Sequence, residues 1–139
     1  MKVSIHSRSS IYDLIEKGIP QNTAIISFAD TEDDYVEFPK GTDVLLIPFY
    51  DIRPYTIAKS HYNKILPEAK MIAEFINQKH REKKNIICQC DYGISRSAGC
   101  AAAILERWGK NGIEIFADYR YNPNQFVFNK VLKELKELS

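Results

Sequence analysis

Short apolar runs alternate along the chain with segments in which apolar residues recur at helical spacing. The apolar runs are rich in β-branched residues and predict strands at Val3–Ile5, Thr23–Phe28, Val44–Ile47 and Asn85–Cys88. The last two runs are continuously apolar, which is typical of strands buried on both faces of a parallel sheet. The alternation predicts an α/β fold with a central, mostly parallel sheet of about four to five strands flanked by helices.

The first helical segment lies between the first and second predicted strands. Its apolar residues recur at helical spacing: Ile11, Leu14 and Ile15. We expect Ser10 to cap this helix and Gly18 to end it. A longer helical pattern spans residues 57–80, and Pro67 is expected to divide it into two helices.

The C-terminal part of the chain predicts further helical segments. Ser97–Trp108 consists largely of small residues, which predicts a central helix packed closely against the sheet. Asn111-Gly112 breaks that helix, and a short amphipathic piece follows at Ile113–Tyr119. A last helix is expected to open at Asn122-Pro123 as cap and first turn. Its inward-facing residues are expected to be Val131, Leu132, Leu135 and Leu138.

Composition narrows the class of protein. A chain of 139 residues, 45% of them apolar, is the size of one domain, so we expect residues 1–139 to form a single domain. The 19 basic and 18 acidic side chains nearly cancel and form no basic block, which argues against a nucleic-acid or membrane partner. No apolar run reaches the roughly 18 residues of a membrane span, and the N-terminus does not resemble a signal peptide. We therefore expect a cytoplasmic protein.

The cysteines point to reactivity or core packing. Their odd number, 3, does not predict a disulfide framework. We expect Cys88 and Cys100 to be small core residues, because free cysteine is among the most buried residue types. The spacing lacks the paired Cys-x2-Cys pattern of zinc sites, so no metal is expected.

One segment of the chain carries the chemistry. Cys90 follows the buried strand, a loop containing Gly93 comes next, and a helix begins after the loop. Such a loop directs backbone N–H groups and the positive end of the helix dipole inward, which suits a phosphate dianion. The same field favours the thiolate form of Cys90. Arg96 can present a bidentate fork to phosphate oxygens, so the segment predicts a phosphate site with a nucleophilic thiol.

Two stretches of the chain are similar to motifs of a known enzyme family. The first is Cys-x5-Arg-Ser, which comprises Cys90, Gly93, Ser95, Arg96 and Ser97. It resembles the signature of the dual-specificity protein tyrosine phosphatases. The second, residues 120–124 followed by Phe126 and Leu132, is similar to the Arg…Pro-Asn…Phe stretch with which many such phosphatases open their last helix. The resemblance covers residues 44–135.

The resemblance implies a mechanism and a role for each residue of the motif. Cys90 would attack phosphorus and form a phosphocysteine, the Ser97 hydroxyl would hydrogen-bond the sulfur, and Arg96 would hold the phosphate. Backbone N–H groups of the loop would bind the phosphate oxygens beside Arg96; they belong to Asp91, Tyr92, Gly93, Ile94 and Ser95. No cofactor is implied, and the partner would be a phosphorylated protein or peptide.

The family's mechanism also needs an aspartate that protonates the leaving oxygen, and position along the sheet favours Asp51. This residue follows a predicted strand, and parallel strands present their C-terminal ends along one edge, where Cys90 also lies. Asp43 precedes the same strand and is expected at the wrong end. Weaker candidates follow the second predicted strand: Asp30, Asp33 and Asp34.

One departure from the family pattern leaves alternatives open. The family usually has His immediately before its cysteine, and this chain has Gln89, so the thiolate is expected to have weaker support. The first hypothesis is a protein phosphatase acting on phosphotyrosine and on phosphoserine or phosphothreonine, since a chain this short has few residues for a deep, selective slot. The second is a phosphate-binding module that hydrolyses slowly.

A third hypothesis is a phosphatase acting on a phosphoinositide or an RNA 5′ end. Highly anionic substrates favour lysines at the variable loop positions, which here hold Asp91, Tyr92 and Ile94. The loop composition therefore argues against this substrate class.

Overall fold

The computed structural model describes residues 1–138, and its centre is a four-stranded sheet. The strands are β1 (Val3–His6), β2 (Thr23–Ala29), β3 (Val44–Pro48) and β4 (Asn85–Gln89). They lie in the order β1-β4-β2-β3, and every neighbouring pair is parallel. The expected α/β fold with a parallel sheet is therefore confirmed, and each predicted strand is present. The expectation that β3 is buried on both faces is wrong, because β3 is an edge strand and its Leu46 is 36% exposed.

The strand register aligns the carboxyl ends of β2, β3 and β4. Ser27 of β2 pairs with Gln89 of β4, and Ala29 of β2 pairs with Pro48 of β3. Residues that directly follow these strands therefore emerge along one edge of the sheet. This edge carries Asp30, the segment 49–53 and Cys90.

Within residues 1–138, five α-helices surround the sheet. They are α1 (Arg8–Lys17), α2 (Ala69–Arg81), α3 (Arg96–Arg107), α4 (Ile113–Ala117) and α5 (Gln125–Glu137). The main core lies between the sheet and α2, α3 and α5, where Phe28, Ile104 and Val131 are fully buried. A second apolar cluster joins Ile11 of α1 to Ile25 and Ile87 of the sheet. In this part of the chain no helix has both the length and the apolar character needed to cross a bilayer.

Helix α3 is the central helix that its small side chains predict. Residues 96–104 are all buried, and the helix packs most extensively against α5. The closest approach is at Gly99, where a Cβ would lie 2.5 Å from the Asn124 backbone oxygen. Glycine at this position therefore lets α3 touch the start of α5.

Three local predictions at helix ends are wrong. The N-cap of α1 is Ser7, whose Oγ accepts a hydrogen bond from Ser10 N at 3.1 Å, so Ser10 lies inside the helix. The N-cap of α5 is Asn124 rather than Asn122, because Asn124 Oδ1 accepts an otherwise free N–H of the first turn at 3.1 Å. Leu138, expected to face inward, is the C-cap of α5 and is 37% exposed.

The segment before α2 also differs from its prediction. Residues 57–66 contain no α-helix; they include the 3₁₀ turn Lys59–Lys64, which follows a shorter one at Pro54–Thr56. Pro67 disfavours the α conformation at Leu66, which has φ of 54°, so α2 begins only at Ala69. The predicted division at Pro67 is therefore present, but the first of the two pieces is not an α-helix.

Candidate active site

Residues 90–95 form the loop between β4 and α3 at the carboxyl edge of the sheet. Cys90 is buried, and its N–H donates to the His6 carbonyl at 3.2 Å. Gly93 has φ of 67°, and a Cβ there would lie 2.8 Å from Ser7 N. The loop therefore packs directly against the cap of α1, and a larger side chain at position 93 would push the two segments apart.

The Cys90 sulfur lies close to the first turn of α3. Its Sγ is 3.1 Å from Ser97 Oγ, and both side chains are buried. A hydroxyl at this distance can donate to a thiolate, and the N-terminal end of a helix favours negative charge. These surroundings suit an anionic sulfur.

The Arg96 side chain is only 5% exposed. One terminal nitrogen, NH1, donates to the Phe49 carbonyl at 2.7 Å and to Asp30 Oδ1 at 2.9 Å. The other, NH2, lies 3.7 Å from Asp91 Oδ2. The Nε–H is buried and has no hydrogen-bond partner among residues 1–138. One edge of the guanidinium is thus held by the protein, while the Nε donor is unsatisfied.

The Asp51 carboxylate is held against the loop by two donors. Its Oδ1 accepts from Ser95 Oγ at 2.6 Å and from Asn124 Nδ2 at 2.7 Å. Its Oδ2 lies 3.8 Å from an Arg53 guanidinium nitrogen. The carboxylate therefore lies beside the 90–95 loop, at the edge of the sheet where its position in the sequence placed it.

The other aspartates lie elsewhere. Asp43 precedes β3, at the opposite end of the sheet, where it pairs with Lys79 at 2.8 Å and Lys84 at 2.7 Å. Asp33 and Asp34 belong to an exposed 3₁₀ turn after β2. Of the aspartates that follow β2 and β3, Asp30 contacts Arg96 at the start of α3 and Asp51 contacts Ser95 of the loop.

A small cavity of about 130 Å³ opens above Cys90. It is lined by Asp51, Arg53, Cys90, Tyr92, Ile94, Ser95 and Arg96. The Cys90 thiol, the Arg96 guanidinium and the Asp51 carboxylate therefore line the same space. The Asp91 side chain is turned toward Arg8, whose Nε donates to it at 2.8 Å.

No family model matches the sequence, and no curated protein matches it significantly. The structure does resemble solved ones. A human tyrosine phosphatase-like serine/threonine/tyrosine-interacting protein is 22% identical with a TM-score of 0.57, over 96% of this chain and 87% of that one. Human DUSP28 is 17% identical with a TM-score of 0.59, over 98% of this chain and 92% of that one.

A third neighbour, the PTP-2 phosphatase of Cydia pomonella, is 15% identical with a TM-score of 0.61, over 96% of this chain and 85% of that one. This chain has the dual-specificity phosphatase fold. At these identities the likeness concerns the fold, and the chemistry has to be argued from the site itself.

Within the dual-specificity phosphatase fold, Gln89 stands where the family's histidine is expected. Its side chain is fully buried. Its Oε1 accepts from Ser27 Oγ, and its Nε2 donates to the Cys90 carbonyl at 3.0 Å. The Gln89 amide thus bonds the Cys90 carbonyl at the start of the loop. Glutamine in place of the family's histidine therefore leaves no unsatisfied side-chain group at position 89.

Asn124 is a residue of the site that the sequence analysis did not single out for a role there. It is fully buried, and its N–H donates to the Ser95 carbonyl at 2.9 Å. Its side-chain amide also donates to the Ile52 carbonyl at 2.9 Å, in addition to Asp51. One residue therefore joins the start of α5, the loop and the segment after β3. The Pro-Asn pair in the sequence was the available signal.

Cys88 and Cys100 lie in the core, as free and fully buried thiols. Their mutual hydrogen bond, together with burial, raises the pKa of the Cys88 thiol well above its usual value. Residues 1–138 contain no group of three or more His, Cys, Asp or Glu side chains arranged to hold a metal ion.

Proposed function

We propose that the protein is a phosphomonoester hydrolase that removes phosphate from phosphotyrosine, and from phosphoserine or phosphothreonine, of proteins. The observation that carries the proposal is the buried Arg96 Nε–H without a partner in the described chain, in a side chain that lines the same cavity as Cys90. Leaving a buried donor unsatisfied costs about 1–3 kcal/mol. A phosphate oxygen in the cavity would accept this hydrogen bond and remove the cost.

Binding would use the backbone as well as Arg96. A phosphate above Cys90 would meet N–H groups of the 90–95 loop and the N-terminal end of α3, where the helix dipole favours an anion. The guanidinium would add charge-assisted hydrogen bonds in a planar geometry that matches two phosphate oxygens. These groups would stabilise the charge on the equatorial oxygens as the phosphoryl group moves to sulfur.

The proposed reaction has two steps. The Cys90 thiolate attacks phosphorus, a P–S bond forms, the bond to the leaving oxygen breaks, and Asp51 donates a proton to that oxygen. Water then attacks the phosphocysteine and transfers a proton to Asp51, and the thiolate leaves. The Ser97 hydroxyl, 3.1 Å from the sulfur, would stabilise the departing thiolate.

The chemistry of the cavity mouth favours protein substrates. The cavity is lined by two basic side chains, Arg53 and Arg96, but the 90–95 loop itself contains none. Its outward-facing residues Tyr92 and Ile94 are 81% and 42% exposed. A highly anionic inositol lipid or RNA end would meet an aromatic and an aliphatic side chain there instead of lysines. We therefore place phosphopeptides ahead of phosphoinositides and RNA 5′ ends.

A second candidate is a phosphate-binding module without turnover. It is favoured by one structural neighbour whose name describes a phosphatase-like interacting protein. The presence here of a buried thiol with a hydroxyl 3.1 Å away favours hydrolysis instead.

Turnover of 4-nitrophenyl phosphate separates the two candidates. We expect the wild-type protein to hydrolyse it and Cys90→Ser to lose all measurable turnover, because only the nucleophile is removed. Inorganic phosphate should still bind to Cys90→Ser, since the loop N–H groups and Arg96 remain. Phosphate binding without turnover by the wild type would support the binding module. Activity retained by Cys90→Ser would place the chemistry elsewhere.

We also propose that residues 1–139 act as one phosphatase domain in the cytoplasm. The location is supported by chemistry, because an attacking thiol must stay reduced and the cytosol keeps thiols reduced.

A further inference from the structure

Asp30 forms a hydrogen bond with Arg96 of the proposed site but does not line its cavity. It directly follows β2, and its Oδ1 accepts from Arg96 NH1 at 2.9 Å. The Phe49 carbonyl, directly after β3, accepts from the same nitrogen at 2.7 Å. Asp30 does not line the cavity above Cys90, whereas Asp51 does.

These two acceptors define which edge of the guanidinium is free. NH1 is occupied by Asp30 and Phe49, whereas Nε has no partner in the described chain and NH2 lies 3.7 Å from Asp91 Oδ2, beyond hydrogen-bond distance. The free edge therefore runs from Nε to NH2. A guanidinium binds two oxygens side by side only when its plane is correctly oriented, so anchoring NH1 prepares this edge for a phosphate.

Charge by itself does not explain an aspartate at this point. An arginine side chain in a protein keeps its charge without a neighbouring carboxylate. A negative charge next to the arginine opposes the binding of a phosphate dianion. Orientation of the guanidinium is the benefit that can outweigh this repulsion.

We propose that Asp30 is a positioning residue, which orients the Nε–NH2 edge of Arg96 toward the transferring phosphoryl group. The inference rests on the proposed phosphatase function and deepens it. It also assigns Asp30 a role distinct from that of a general acid.

Two substitutions separate orientation from charge. Asp30→Asn removes the charge and keeps an oxygen acceptor for NH1, whereas Asp30→Ala removes both. We expect Asp30→Ala to lower kcat for 4-nitrophenyl phosphate by roughly 10–100-fold, less than the 10²–10³-fold lost when a stabilising donor is deleted. Asp30→Asn should stay within about threefold of wild type, since its side-chain oxygen can take the same hydrogen bond. Asp33→Asn, an exposed carboxylate of the same segment, is the matched control for charge.

A readout that does not need turnover is the affinity for inorganic phosphate, measured by calorimetry. Asp30→Asn should bind it at least as tightly as wild type, because the repulsion is gone and the orientation kept. Asp30→Ala should bind it about tenfold more weakly than Asp30→Asn. Equal affinities and equal kcat values of Asn and Ala would overturn the proposal, because the carboxylate would then act only through its charge.

Two further measurements keep the test decisive. If Asp30→Ala does not fold, Asp30→Leu, which is close to Asn in size and lacks an acceptor, supplies the same comparison with Asp30→Asn. If wild type binds phosphate but does not turn substrate over, the proposed function fails while the difference in affinity between Asn and Ala still decides the role of Asp30. A loss of activity in Asp30→Asn confined to poor leaving groups would identify Asp30 as a general acid and overturn the proposal.

Discussion

At the scale of single residues, two aspartates contact neighbouring residues of the site, Ser95 and Arg96, in different ways. Asp51 lines the cavity and is held by Ser95 and Asn124. Asp30 is bound to the far side of the Arg96 guanidinium. A proton donor has to reach the leaving oxygen, whereas a residue that orients an arginine does not have to meet the substrate. The geometry therefore supports the proposed proton transfer by Asp51 and the proposed orientation of Arg96 by Asp30.

The first residue-scale prediction concerns Asp51→Asn. We expect turnover of substrates with poor leaving groups, such as phenyl phosphate, to fall by roughly 10²–10⁴-fold, the usual size of general-acid assistance. Substrates with good leaving groups should lose less, because their oxygen departs without a proton. The measurement is kcat across a series of aryl phosphates of graded leaving-group pKa. An unchanged dependence on the leaving group would contradict the assignment.

The second residue-scale prediction concerns Gln89→Leu. The substitution leaves the buried Ser27 hydroxyl and the Cys90 carbonyl without the amide that now bonds them. We expect the free energy of unfolding to fall by about 1–3 kcal/mol, with a loss of turnover as the loop loosens. Urea denaturation measures the first effect. Gln78→Leu, on the exposed side of α2, is the control and should change stability by at most about 0.5 kcal/mol. Equal effects of the two would show that the buried amide is not needed.

At the scale of elements, ion pairs join segments at the amino end of the sheet. Asp43, just before β3, pairs with Lys79 of α2 and with Lys84, just before β4. Burial disfavours ionisation of Asp43, but the hydrogen bonds from these lysines outweigh it and lower the pKa of Asp43. A carboxylate whose pKa is lowered by folding stabilises the folded state at neutral pH.

Asp43→Asn tests that contact. Because the Lys79 side chain is 9% exposed and that of Asp43 26%, we expect a loss of about 1–2 kcal/mol at pH 7, between the values for surface and buried pairs. The stability is fully present above the ordinary aspartate pKa and disappears as the pH falls through the lowered one. Urea midpoints of wild type and variant should therefore converge in acid. A difference that persists there would contradict the ionic explanation; Asp13→Asn, exposed on α1, serves as control.

At the scale of the whole molecule, the shape of the cavity bears on substrate specificity. The cavity above Cys90 has a volume of only about 130 Å³, and Tyr92 at its mouth is 81% exposed. Such an opening lacks the deep walls of a slot that only a long aryl phosphate could fill. The fold therefore favours access by short alkyl phosphates as well.

We predict that the protein accepts both phosphotyrosine and phosphothreonine peptides, with phosphotyrosine turned over faster. A phenolate departs more readily than an alkoxide, so tyrosine keeps a chemical advantage without selective contacts. The measurement is kcat/KM on matched peptides. A kcat/KM about 10⁴-fold higher for the phosphotyrosine peptide would contradict the prediction, since rejection on that scale needs contacts made by one substrate only.

The amino-acid sequence by itself determined the fold class and the position of the loop. The strands at Val44–Ile47 and Ile86–Cys88 are continuous apolar runs and α3 is a run of small residues, so local composition indicates the strand before the loop and the helix after it. Parallel strands end at one edge of the sheet, and Asp51 follows a predicted strand whereas Asp43 precedes it. Their positions in the sequence were therefore enough to place Asp51 near Cys90 and Asp43 at the far end.

Only the tertiary structure decided which polar atoms meet. Arg96 and Asp30 are 66 residues apart, Asp51 and Asn124 are 73 apart, and Ser27 and Gln89 are 62 apart. These contacts depend on the order β1-β4-β2-β3 and on the close approach of α3 to α5 at Gly99, which no local pattern encodes. The 90–95 loop likewise meets the distant cap of α1, because Gly93 lies against Ser7. Hydrophobic periodicity places a residue on a face or at an edge, whereas hydrogen-bond partners depend on distances that exist only after the elements have packed.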